Sequence, residues 1–249
     1  MVDTLLEEFE ATLRTSGNWN ATVEVYLTDN NSGFANTTFE RTFADEMVGN
    51  TLLWVVPAWR KIVLGIDNAT PPISNDGAGA DFTVHFNVGE NSDNAGLLRH
   101  EMMHGLGAVN SIPNFRMTET GESSGLAPGT RIRASRYDLQ LVDLDGNSLL
   151  ADYSATDSTF AVQNYRIETT LSEWMDGSGG VFFRGVLADG DALDMPCQTF
   201  PISMSEGSIG LNEPADLMSA AVHPTWDSLG QPDYAFFRAM GYRVVQPQP

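Results

Sequence analysis

Two periods alternate in the spacing of apolar positions along the chain, and the switches between them mark its elements. In residues 4–15, Leu5, Leu6, Phe9 and Leu13 recur at spacings of three and four, which predicts a short amphipathic helix. Residues 21–27 change to period two. Val23, Val25 and Leu27 alternate there with Glu24 and Tyr26, as in a strand with one buried face. Residues 42–66 read as mainly helical and carry Trp54 and Trp59, with Pro57 kinking or dividing the helix. A loop rich in Pro, Gly, Asn and Asp is expected over 68–80, then a strand over 82–88. A helix follows over 94–106, with Asp93 or Asn94 at its N-cap.

Beyond Gly107 the texture changes, with more Gly, Ser and Asp and fewer long periodic stretches, so short strands fit better. Residues 181–187 form one, Asp143 to Asn147 reads as the tip of a hairpin, and a last helix over 232–240 stops at Gly241. The pattern as a whole predicts an α+β fold. Residues 1–107 make an N-terminal lobe ending in the 94–106 helix, residues 108–249 make a more irregular C-terminal lobe, and the two form one domain. With 249 residues, 42% of them hydrophobic, the chain can fill a core of that size.

Charge narrows the partners. Thirty-three acidic residues face thirteen basic ones, a formal net charge of −20. Arg131, Arg133 and Arg136 are the one local basic cluster, so the charge argues against nucleic acid as a partner. No run of about 18 apolar residues occurs, because 52–66 is broken by Pro57, Arg60 and Lys61, and no membrane span is expected. Met1 opens directly onto Val-Asp-Thr-Leu-Leu-Glu-Glu, which reads as a cytoplasmic protein or one whose leader has been removed. Lys61 is the single lysine beside twelve arginines and nineteen aspartates, a composition suited to a saline setting. Cys197, the one cysteine, cannot form an internal disulfide.

The chemistry concentrates in His100-Glu101-Met102-Met103-His104. Positions four apart on a helix lie one above the other, so both imidazoles project from one face and can chelate a single zinc. Glu101 beside them is placed to take a proton from a zinc-bound water, the chemistry of peptide-bond hydrolysis. The plainer reading is a helix with two surface or capped histidines. The context favours the metal: a strand precedes the helix, and Gly105-Leu-Gly107 ends it with a glycine able to turn left-handed.

His100-Glu-Met-Met-His-Gly-Leu-Gly107 resembles the start of the metzincin zinc-binding motif. In most metzincins a third ligand follows three residues after that glycine. Here Asn110 stands there, which departs from the astacin, matrixin, reprolysin and serralysin patterns. The leishmanolysin-like branch and its bacterial relatives place the third ligand after a long insertion, shortly before a methionine turn. Asn212-Glu-Pro-Ala-Asp-Leu-Met-Ser-Ala-Ala221 is similar to that turn, and Asp233-Tyr-Ala-Phe-Phe-Arg-Ala-Met-Gly-Tyr242 to the closing helix behind it. The resemblance covers roughly residues 80–245, with its motifs at the two ends. It implies a metzincin-like zincin, with a mixed-sheet N-terminal lobe, a zinc helix and an irregular C-terminal lobe. It also makes Met218 the methionine beneath the metal, a residue otherwise read as ordinary core.

The branch places a third histidine about eleven residues before that methionine, and none stands there. Glu206 is the nearest metal-competent residue and the first choice, since a carboxylate oxygen binds zinc well. His223 is the rival, although the resemblance puts it in the wall of the substrate pocket; Asn110 and Glu213 remain as further alternatives. His85 alternates with Val84 and Phe86, as a structural histidine would, but its strand precedes the zinc helix. In metzincins the corresponding edge strand pairs with extended substrate, so a substrate-binding role for His85 stays open. Tyr234 and Tyr242 read as core residues more than as partners of a tetrahedral intermediate. Asp143-Leu-Asp-Gly-Asn147 lacks the later bidentate Glu of a calcium loop, so it reads as a turn, with calcium left open elsewhere among the carboxylates.

These readings converge on a secreted, monomeric zinc endopeptidase acting on protein or peptide substrates, from a bacterial or archaeal source given the lack of disulfides. Two other classes stay open. One is an inactive metzincin-like binding protein; the other is an acidic calcium-dependent adhesion or structural module.

Overall fold

The computed structural model describes residues 2–14, 21–28, 35–38, 44–66, 80–87, 95–109, 116–117, 123–124, 127–143, 145–163, 181–199, 209–211 and 229–245. Helices and strands are mixed along the chain, as in an α+β protein. The first helix, α1 (Val2–Thr12), buries Leu5 and Phe9 and leads into β1 (Leu13–Arg14). Then come β2 (Val23–Thr28) and β3 (Ala35–Thr38).

The stretch expected to be helical over 42–66 is different. It begins as a hairpin of β4 (Ala44–Val48) and β5 (Thr51–Val55), with Val48 opposite Thr51 across the two-residue turn Gly49-Asn50. Gly49 takes φ +63°, which a glycine reaches without a Cβ clash. The apolar run of 52–56 fits a buried strand as well as a helix, and β-branched Thr51 and Val55 decide for the strand. Pro57 starts a helix here. The short α2 (Pro57–Trp59) carries Pro in its first turn and runs on into a π-helical turn, Arg60–Leu64.

The next strand, β6 (Phe82–Asn87), pairs parallel with β2 and antiparallel with β3, making a three-stranded mixed sheet in the order β2-β6-β3. Helix α3 (Ala95–Gly105) packs on it. The approach is so close that a Cβ built on Gly105 would lie 2.2 Å from the Phe82 ring. The expected helix and strand are therefore both present, whereas the N-cap candidates Asp93 and Asn94, and the expected loop of 68–80 apart from Ala80, lie outside the described residues.

Most of the remaining strands are short, as expected beyond Gly107. In order they are β7 (Arg116–Met117), β8 (Ser123–Ser124), β9 (Arg131–Ile132), β10 (Leu141–Asp143), β11 (Leu150–Ser154), β12 (Thr159–Val162), β13 (Val181–Val186), β14 (Ala192–Thr199) and β15 (Ile209–Leu211). At eight residues, β14 is the longest strand described. One sheet runs β10-β13-β14-β15 and another β11-β12-β9. The tip at 143–147 is a turn: Asp143 Oδ1 accepts the backbone N–H of Asp145 (3.0 Å) and Asn147 (2.8 Å). Helix α4 (Gln231–Ala239) lies on β13, with Phe183 and Phe236 rings 5.1 Å apart, and Gly241 at φ +92° ends it.

The last strand, β16 (Arg243–Val244), returns to pair with β1. One hydrophobic cluster runs from Leu5 and Phe9 through Val84, Leu98 and Met103 to Phe183, Phe236 and Phe237. The core therefore crosses the 107/108 boundary without a break.

Candidate metal centre

The site is built on α3, whose two sides face different surroundings. Leu97, Leu98, Met102 and Met103 are buried in the core, while His100 and His104 are half-buried. Arg99 anchors the helix. Its Nε donates to Glu8 Oε2 (2.7 Å), and Glu8 Oε1 accepts the N–H of Leu229 (2.8 Å), so one carboxylate ties α1 to α3 and to the chain two residues before α4. Both Arg99 and Glu8 are largely shielded from solvent, which spares this ion pair much of the screening that weakens exposed ones.

The two imidazoles meet as the four-residue spacing predicts. Their Nε2 atoms are 3.1 Å apart, with ring centroids 4.7 Å apart and planes at 86°. His104 Nδ1 lies 2.8 Å from the Ala108 carbonyl oxygen. A carbonyl only accepts, so Nδ1 carries the proton and the Nε2 lone pair points toward His100. Two ring nitrogens at this separation need a shared proton or a cation between them. A tetrahedral zinc with bonds of about 2.0–2.1 Å would hold its ligand atoms about 3.3 Å apart, so the pair fits that ion. The hydrogen bond on the far ring nitrogen is the usual support that fixes the tautomer of a ligating histidine.

The turn after α3 supplies that supporting carbonyl. Gly107 adopts φ +113°, its N–H donates to the His104 carbonyl (2.9 Å), and the Ala108 N–H donates to the Met103 carbonyl (3.0 Å). Reversing the chain here needs a left-handed residue, and the turn brings the Ala108 carbonyl back beneath His104. From the far end of the chain, the buried Tyr242 hydroxyl donates to the Leu106 carbonyl at 2.6 Å. Burial raises the Tyr242 phenol well above its ordinary value, so it stays protonated as a donor. Tyr242 is a structural residue of the turn.

Glu101, only 6% exposed, turns toward β3. The Thr37 hydroxyl lies 2.8 Å from Glu101 Oε2 and 2.7 Å from the Glu101 carbonyl oxygen. Sequence reading gave no hint of Thr37. The segment Ala-Asn-Thr-Thr has no hydrophobic alternation, and only its pairing with β6 brings it to the site.

His85 is not at this site. Its strand β6 lies between β2 and β3, so it is not an edge strand. The Phe82 ring faces α3, and alternation along β6 puts Val84 and Phe86 on that face and His85 on the opposite one. There the His85 ring stacks on Tyr26, with centroids 5.3 Å apart and planes at 14°. Tyr234 is half-buried on α4, where burial first, and then the Glu8 and Asp233 carboxylates, raise its pKa.

Asn110, Glu206, Glu213, Met218 and His223 lie outside the described residues, as does the side chain of Cys197. Among the described residues, no group of three or more His, Cys, Asp or Glu side chains is arranged to hold a metal. No protein family, curated protein or solved structure matches the chain.

Proposed function

We propose that the chain is a zinc-dependent endopeptidase of metzincin-like type. The reading rests on one observation above all, the 3.1 Å approach of His100 Nε2 to His104 Nε2 on the helix that also carries Glu101. His100 and His104 are the first two ligands. The third is Glu206, with His223 as the rival, and Met218 is the residue of the methionine turn. When bound, zinc supplies Lewis acidity, making a water acidic near neutral pH and polarising the scissile carbonyl. Glu101 takes the proton from the attacking water and returns it to the departing amine nitrogen. His104, whose Nδ1–H donates to the Ala108 carbonyl, keeps the Nε2 lone pair available to a metal. The substrate is a protein or peptide met outside the cell.

The test is zinc stoichiometry on the purified chain, together with cleavage of labelled casein by the wild type and Glu101→Ala. One zinc per chain is expected, with the variant retaining zinc while its cleavage falls by about two to four orders of magnitude. Full cleavage by Glu101→Ala would remove the general base. Zinc bound without any cleavage by the wild type would favour the inactive binding protein, and calcium without zinc the adhesion module. Loss of zinc in Glu206→Ala but not in His223→Ala assigns the third ligand, and the converse reverses it.

A further inference from the structure

We infer that Thr37 is the positioning residue of Glu101, an inference that rests on the endopeptidase reading above. Its hydroxyl is within 2.8 Å of both oxygens that Glu101 turns toward β3, one on the side chain and one on the backbone. A hydroxyl has one proton and two lone pairs, so it donates to one of these acceptors at a time or is shared between them. Donated to Oε2 or shared, it holds the carboxylate of Glu101 beside the turn of helix from which that side chain grows. Thr37 is itself well fixed. It stands opposite Val84 in the antiparallel β3–β6 register, and a β-branched side chain has little χ1 freedom.

Glutamate has three side-chain torsions to lose, and a base that must find its rotamer during the reaction is slower than one already set. Thr37 removes that search. It reaches the site from a strand rather than from α3, so the base is set by the contact between sheet and helix. That contact is close at both ends, since Gly105 sits against Phe82 of β6 while Thr37 of β3 reaches Glu101. The effect of Thr37 is carried wholly through Glu101.

Thr37→Val keeps the shape and removes the donor, and Thr37→Ser keeps the donor. With zinc-loaded protein and labelled casein, Thr37→Val is expected to lower kcat about ten- to a hundredfold with KM and zinc stoichiometry unchanged. Thr37→Ser should recover most of the rate. If Thr37→Val disrupts β3 and fails to fold, Thr37→Ala takes its place in the same comparison.

A second readout needs neither metal nor turnover. In metal-free protein, the shift in urea midpoint caused by Thr37→Val should shrink to about half in a Glu101→Ala background, because only the bond to the backbone oxygen remains there. A wild-type kcat in Thr37→Val, a loss carried by KM or by zinc release, failure of Thr37→Ser to rescue, or an unchanged midpoint shift would each overturn the inference. If the wild type binds zinc and cleaves nothing, the endopeptidase reading falls and takes this role with it. An active wild type beside an equally active Thr37→Val removes Thr37 alone.

Discussion

Tyr242 shows how one side chain far along the sequence holds the candidate site. Its hydroxyl fills the Leu106 carbonyl at the turn that presents Ala108 to His104. Tyr242→Phe leaves that buried acceptor unpaired, at a cost of about 1–3 kcal/mol near neutral pH. The pH dependence has a definite sign. Burial raises the folded-state pKa above the ordinary 10.0, so between that pH and the folded value the native state keeps a proton that the unfolded state releases. The contribution is therefore complete below about pH 10 and falls above it by up to about 1.4 kcal/mol per pH unit. Urea midpoints of wild type and Tyr242→Phe should converge as pH rises from about 9 to 11. A constant gap would show that the phenol ionises alike in both states. Trp59 makes a comparable tie, its indole N–H donating to the Met240 carbonyl at 2.7 Å, so two aromatic donors fix the chain on either side of Gly241.

At the scale of elements, legibility followed the range of the interactions. The His100–His104 pair is local to one helix, and its spacing alone predicted the facing nitrogens. Helices α1, α3 and α4 and strand β13 lie close to their expected spans because each has a buried face with its own period, whereas β2 lies at its expected span without the expected buried face, Leu27 being 57% exposed. Residues 42–66 did not, since a dense apolar run carries no period and Gly49-Asn50 was the only local sign of a hairpin. Thr37 and the Glu8–Arg99 tie were invisible for another reason: partners 64 and 91 positions apart leave no spacing to read.

Gly105 belongs to this scale too. Alanine is the better helix former by about 1 kcal/mol, so propensity alone would make Gly105→Ala stabilising. The Cβ would lie 2.2 Å from a rigid, fully buried Phe82 ring, and overpacking of that kind costs about 1–3 kcal/mol. The clash outweighs propensity. Gly105→Ala should lower Tm and, by tilting the residue next to His104, weaken zinc binding in a titration; a raised Tm would show that helix and sheet lie further apart.

Across the whole molecule ion pairing leaves the net charge of −20 unchanged, because each pair neutralises one carboxylate with one cation. Arg60 pairs with Glu46, Arg99 with Glu8, Arg131 with Asp157, Arg133 with Asp45 and Arg184 with Asp194. The single lysine is buried. Lys61 Nζ sits 3.0 Å from Asp81 Oδ2, with both side chains shielded, so it adds no ammonium group to the surface. What remains to act at a distance is an excess of carboxylates, whose field repels acidic peptides and draws in basic ones. The contrast depends on screening, since the Debye length shrinks from about 30 Å at 0.01 M salt to about 3 Å at 1 M. On the proposed endopeptidase reading, if that field reaches His100 and His104, peptides matched in sequence but carrying added Lys or Arg should be cleaved about tenfold faster at low salt than their Asp or Glu counterparts. The ratio of kcat/KM should fall toward one as salt approaches 1 M. The difference should sit in KM and the association rate rather than in kcat, because the field acts on encounter and not on the chemistry at Glu101. Equal rates at low salt would confine the acidity to surfaces away from the site.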